Sequence, residues 1–577
     1  MPIINCPKCG NRISNLAPTC VYCGCAITKK SEATKIYEVK NGTLVRYNGT
    51  REVISIPGGI EVIGRGAFDG CSTVKRVIIS DGVRSVGDLA FSGCTSLESV
   101  EIAEGVKSIG FRSFAGCTSL KKIKLPSTVE NIPDRAFENC SSLESIAIPR
   151  GVTVVGKEAF FGCSNLRDVR ISSTVNTIGF EAFAFCSSLR RVRFGKNLIS
   201  IGGRAFIECL GLTELTIPNK LTVIGEEAFF GCSRLQKIDF GKSVASIGMM
   251  AFSECTSLRE ISLPESVTSI AIKAFANCRS LRRAEFSEGL HDIGSEAFRG
   301  CHSLEQVAIP KSVKIFGFEV FCDCPSLRSI DIGSVERWCT VEFSLAKGQA
   351  EPYDKRLSLG GELITNLRVP EGVIEVAGGA FANCLELKSV IFDRGVLGVG
   401  AQAFLNCTNL HEVVLAKTVS NIGKLAFYNC SSLESITIPD AVLSISGGMF
   451  AECQNLKKIT LGSGIKTIDS FAFRNCRSLY SIEIPSSVTS IAKSAFAGCS
   501  GLTSVTIGKN VESISAGAFE GCTGIRDIYF KRSPDDTPRI LIGYNPELDG
   551  AEIHYVDAPA SEDAPKQYFK TGEITFW

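Results

Sequence analysis

The sequence predicts a β-rich repeat solenoid, with a parallel β-sheet on its concave face and short turns or 3₁₀ segments on its convex face. Three observations predict it. Nineteen cysteines keep a spacing of 23 residues, in a run of 12 from Cys71 to Cys324 and a run of seven from Cys384 to Cys522. Each has Phe three residues before it, from Phe68 to Phe519. Leu lies three residues after 17 of them, with Val74 and Ile525 in the two terminal units. A phase kept this long is the mark of a repeat array.

One unit shows the elements in order. After Cys94 come Leu97, Val100, Ile102, Val106, Ile109 and Phe114, and then Cys117. The Leu-x-x-Val-x-Ile start ends in period-2 alternation, which suits a short strand with one buried face. Pro or Gly often follows, as at Pro126, Pro149, Pro218 and Pro264, and stops the strand. A Val-x-x-Ile-Gly segment then turns the chain. The Ala-Phe-x-x-Cys segment is too short for a full helix and is expected to be a loop or a single 3₁₀-like turn. A unit of this size cannot enclose its own apolar face, so neighbouring coils must stack into one continuous core.

The unit resembles a leucine-rich repeat, and "IGxxAFxGCxSLxxVxIP" resembles the BspA-like type, in which Cys takes a place held elsewhere by Leu or Asn. The resemblance covers roughly residues 36–556 and implies a leucine-rich-repeat solenoid. Such repeats serve many partners, so it fixes function weakly.

The remaining segments frame the array. Residues 36–60 carry the hairpin signals Asn41-Gly42 and Asn48-Gly49 and read as an N-terminal cap over an open sheet edge. Repeats are expected over 61–327 and 371–525. Residues 328–370 lose the phase, hold Trp338 and Cys339, and carry Gly360-Gly361, a tight-hairpin signal. Residues 526–556 read as a C-terminal cap, and 557–577 as a flexible tail.

Five cysteines precede the repeats. Cys6-Pro-Lys-Cys9-Gly and Cys20-Val-Tyr-Cys23-Gly are two knuckles, each able to aim two thiolates at one metal. Together Cys6, Cys9, Cys20 and Cys23 predict a closed tetrahedral structural zinc site in a short zinc ribbon over residues 1–28, joined by a linker over 29–35. Zinc would supply much of the folding energy of so small a module. The rival reading, a redox dithiol, lacks the surrounding βαβ pattern. Cys25 reads as a spare thiol or an alternative ligand to Cys23. The 19 repeat cysteines read as small buried hydrophobes.

Composition narrows the function. The chain has 577 residues, 62 Lys+Arg against 60 Asp+Glu, and a hydrophobic share of 44%, ample for a core. Near-neutral charge argues against a globally basic nucleic-acid binder. No run of about 18 apolar residues exists to span a bilayer. The start MPIINCPKCG lacks a basic segment followed by an apolar stretch. The expectation is therefore a cytoplasmic chain with reduced cysteines, a cell-surface location being the alternative. His291, His302, His411 and His554 form no paired-ligand or nucleophile motif, and no catalytic signature occurs.

The outward strand positions lie five and seven residues after each cysteine. They give a basic stretch of Lys122, Lys124, Arg170, Arg191 and Arg193. The plain reading is a solvated face; the functional one is a docking patch for an acidic partner surface. The resulting expectation is a non-enzymatic scaffold that binds a protein partner through its concave face. A nucleic-acid-associated adaptor acting through the zinc ribbon is one alternative. A surface adhesin, implied by resemblance to BspA-like proteins, is another.

Overall fold

The computed structural model describes residues 3–5, 8, 11–14, 19–25, 36–344, 355–533, 540–556 and 567–569. Cys6, Cys9, the expected linker and most of the expected tail lie outside them. The chain forms two compact units, Met1–Val244 and Ala245–Trp577. Both are built of stacked coils, and the fold is a leucine-rich-repeat solenoid.

In the first unit each coil supplies one strand of three or four residues and one of two. The longer strands pair parallel and 23 residues apart, as Arg76–Ile79 with Ser99–Ile102, and Asp168–Ile171 with Arg191–Arg193. The shorter strands form a second parallel ladder, as Ser85–Val86 with Ser108–Ile109. The period-2 pattern sets the burial: Lys122 and Lys124 are exposed while Ile123 between them is buried.

The segment leading to each cysteine is a chain of tight turns rather than a 3₁₀ run. Ser92 N donates to Leu89 O at 3.0 Å and Cys94 N to Phe91 O at 3.2 Å. Left-handed residues at Leu89 (φ 55°) and Gly93 (φ 68°) interrupt any helical continuation. Intervening amides donate to the next coil, as Phe91 N to Ser113 O at 2.7 Å and Gly93 N to Ala115 O at 2.7 Å. The buried backbone is thereby paired without a helix. The left-handed requirement explains why Gly or Asn so often precedes the cysteine, as at Gly116 and Asn139.

Two columns run through the core beside the buried leucines, valines and isoleucines. Phenylalanine rings stack face to face from Phe68 to Phe229 in the first unit, with centroids 4.7 to 5.3 Å apart. Beside them the thiols from Cys94 to Cys232 each donate to the carbonyl of the phenylalanine 26 residues earlier, as Cys186 Sγ to Phe160 O at 3.3 Å. Burial raises the pKa of the Cys163 and Cys232 thiols to about 12. These cysteines are packing residues held as neutral thiols, as their periodicity implied. Cys71, in the first repeat, is only half-buried.

The first unit opens on an antiparallel hairpin, Tyr37–Lys40 with Thr43–Tyr47, turning through Asn41 and Gly42, both at positive φ. Tyr47 extends the aromatic column onto Phe68 at 5.0 Å. Asn48-Gly49 makes no hairpin, because the strands on either side of it, Thr43–Tyr47 and Val53–Ser55, join different sheets.

The second unit repeats the coil from Phe252 onward and departs from it over 333–344 and 355–363. A one-turn helix, Val335–Trp338, is capped by Ser334 Oγ, which accepts from Arg337 N at 3.2 Å. The buried Trp338 donates its indole N–H to Ala380 O at 2.9 Å and packs edge-on against Phe316 and Phe343. Leu357–Leu359 and Glu362–Leu363 form a hairpin through Gly360 and Gly361. At the far end Asn545, fully buried, accepts from Phe519 N and donates to Ser515 O, closing the turn ladder. Gln567–Tyr568 pairs antiparallel with Glu552–Tyr555 along the sheet edge.

Candidate functional site: a basic sheet face and a cysteine cluster

The face of the longer strands is built by alternation. An apolar residue, mostly valine or isoleucine, points inward at the middle of each strand, so the flanking residues face water. Arg170, Arg191 and Arg193 are exposed, and Arg170 lies directly across from Arg193 on the neighbouring strand. Asp168 lies across from Arg191. Lys122 and Lys124 are exposed too, but Lys124 stands across from Glu101 and two coils away from Arg170. At about 4.8 Å per coil that is roughly 10 Å. The five expected residues therefore fall into a lysine pair and an arginine group.

Sequence reasoning missed the row four residues after each cysteine, because it lies just before the strand. Arg167 and Arg190 occupy it and are exposed. With Asp168, Arg191, Glu214 and Arg234 they line a depression that also takes in Gly211 and Thr213. A second depression, sharing Arg191 and Glu214 with the first, is lined by Arg193, Lys196 and Asn219. The signal was present in the 23-residue phase, and only the position of the turn hid it.

On the turn side, ion pairs bridge coils. Arg135 Nε lies 2.7 Å from Glu158 Oε2, and Arg204 Nε 2.9 Å from Glu227 Oε2. Burial pushes the Glu158 carboxyl up, but hydrogen bonds from Arg135 and Lys157 outweigh it and hold the carboxyl below its ordinary range. This side is charge-balanced where the arginine group is not.

The cysteine cluster lies near the N-terminus. Cys20 N donates to Cys25 O and Gly24 N to Cys20 O, both at 2.8 Å, with Gly24 at φ 71°. This turn brings the sulfurs of Cys20, Cys23 and Cys25 within 4.8 Å of one another, with Cys23 and Cys25 Sγ 3.4 Å apart. Cys20 is buried, and its knuckle packs against Ile13. A tetrahedral zinc with Zn–S bonds of about 2.3 Å has sulfur–sulfur edges of about 3.8 Å, so the donor set fits such an ion. Cys25 is thus grouped with the knuckle thiols.

No helix among the described residues is long and apolar enough to cross a membrane. No curated protein matches the chain. Similar solved structures include a leucine-rich repeat protein from Bacteroides ovatus ATCC 8483, at 24% identity, covering 89% of this chain and 94% of that one, with a TM-score of 0.29. Another is a leucine rich cell surface protein from Faecalibacterium prausnitzii A2-165, at 22% identity, covering 86% and 93%, with a TM-score of 0.26. The family model described as BspA type leucine rich repeat region (6 copies) matches residues 46–167, 153–248, 224–344, 360–461 and 420–538. These matches span far more than half of the 577 residues, and the chain belongs to the BspA-type leucine-rich repeat family.

Proposed function

We propose that the chain is a non-catalytic interaction scaffold that binds a protein partner through the longer-strand face, the one expected to be concave. Leucine-rich repeat solenoids typically act this way, offering broad surfaces rather than pockets. The observation that carries the reading is the row of exposed side chains along that face, with arginines from adjacent coils set side by side. Affinity capture with the full chain tests it. The Arg170→Ala/Arg191→Ala/Arg193→Ala variant should lose the partner while its circular dichroism stays unchanged. Equal capture by the variant would remove the patch from the reading.

The N-terminal module is proposed to hold one structural zinc through Cys6, Cys9, Cys20 and Cys23, with Cys25 close enough to compete for a coordination position. The grouping of three sulfurs within 4.8 Å supports this. Metal analysis of the purified full chain should give one zinc per chain, reduced in Cys20→Ser/Cys23→Ser. A metal-free wild-type chain purified without chelators would refute it.

A further inference from the structure

In the first unit, the row four residues after each cysteine position reads Glu52, Lys75, Glu98, Lys121, Glu144, Arg167, Arg190. Signs alternate strictly from Glu52 to Arg167, so each cation faces an anion on the adjoining coil. Lys75 Nζ is 2.8 Å from Glu52 and Lys121 Nζ 3.7 Å from Glu98. The alternation ends at Arg190, which follows Arg167, and the row continues uncharged through Thr213 and Gln236. In the same two coils the row seven residues after the cysteine sets Arg170 directly against Arg193. Like charges opposite one another on adjacent strands oppose folding. Two such doublets therefore coincide in these two coils.

Compensation is sparse there. Arg167, Arg170, Arg190, Arg191, Arg193 and Lys196 are all exposed. Among the described residues, only Arg170 has a carboxylate within ion-pair distance, Asp168 at 3.5 Å. The Arg259/Arg282 doublet of the second unit differs in the row seven residues after the cysteine, where Ser262 and Glu285 stand in place of two arginines.

Resting on the scaffold reading, the geometry points to an extended acidic peptide segment as the occupant of this arginine group, with Asp or Glu at alternate positions. Guanidinium groups pair with carboxylates bidentately, and five of the six cations are arginine. Arg191 and Arg193 lie two residues apart on one strand, so their Cα atoms are separated by about 6.6 Å. Alternate side chains of an extended peptide share that repeat, so a segment lying along the strands meets Arg191 and Arg193 in register. Arg170 and Arg190 flank the track. Single-stranded nucleic acid fits less well, because its binding uses exposed aromatic stacking platforms. The nearest ring, Phe194, is half-buried and packed edge-on against Phe206 at 5.7 Å.

The test is fluorescence anisotropy on the full chain. The probes are a labelled peptide with Glu and Ser alternating, an isomer with its Glu residues in one block, and an oligouridylate. The alternating peptide should bind at least tenfold more tightly than either other probe, and more weakly as salt rises. Arg190→Ser/Arg193→Ser should lower that affinity at least tenfold, whereas Arg259→Ser/Arg282→Ser should leave it unchanged. The first variant's urea midpoint should hold or rise as like-charge repulsion is relieved. Equal binding of the two peptides, tighter binding of the oligouridylate, or an unaffected Arg190→Ser/Arg193→Ser variant would each overturn the inference. If that variant still captures the wild type's partner while the peptide fails to bind, the scaffold reading survives alone. If the wild type captures no partner either, both readings fall.

Discussion

Moving from neutral pH to about pH 10 under reducing conditions should destabilise the solenoid through its buried thiols. Burial pushes Cys163, Cys232 and Cys453 up to about 12. An unfolded cysteine titrates near 8.5. A group whose folded pKa is raised contributes its full stability below the unfolded value and loses it as pH climbs toward the folded value. Near pH 10 the unfolded thiol is almost wholly ionised and the folded one is not, which costs about 2 kcal/mol per thiol and roughly 6 kcal/mol for the three. In a stacked array the loss is felt coil by coil. Urea unfolding followed by circular dichroism, repeated from neutral pH upward, measures it. Stability should fall from about pH 8.5, with a shallower slope in Cys163→Ala/Cys232→Ala/Cys453→Ala. A flat profile or an equal slope in the variant would refute the reasoning.

Phe183 stacks on Phe160 at 5.0 Å and on Phe206 at 5.1 Å, so Phe183→Ala should cost about 3–5 kcal/mol, read from urea unfolding. Trp338→Phe keeps an aromatic ring but removes the 2.9 Å hydrogen bond to Ala380 O, and should cost about 1–2 kcal/mol. The depressed Glu158 carboxyl contributes stability above its unfolded pKa and loses it as pH falls below that value. Acid unfolding of Glu158→Gln should therefore be less steep than that of the wild type.

Most of the fold was legible because every coil imposes the same demands. The inward positions of Phe114, Cys117 and Leu120 are filled alike in each unit, and repetition turned a local pattern into a statement about the whole array. The turn segments were less legible. A left-handed residue such as Arg112 or Glu158 leaves no compositional mark when its backbone is held by the adjoining coil. Gly93 and Gly116 betray the second left-handed position, since glycine is the residue that adopts it most freely.

By itself the sequence determined the 23-residue coil, the identity of the core columns, the inward and outward alternation of each strand, and the pairing of cysteines into knuckles. These follow from local chemistry repeated in phase. Only the tertiary structure decided that Arg170 faces Arg193, that Arg167 and Arg190 join the same group, that Trp338 bonds to Ala380, and that Cys25 lies with Cys20 and Cys23. Each depends on distance between side chains rather than on their order. Charge repulsion, hydrogen bonding and metal geometry act over a few ångströms, and stacking brings residues 23 or more positions apart within that range.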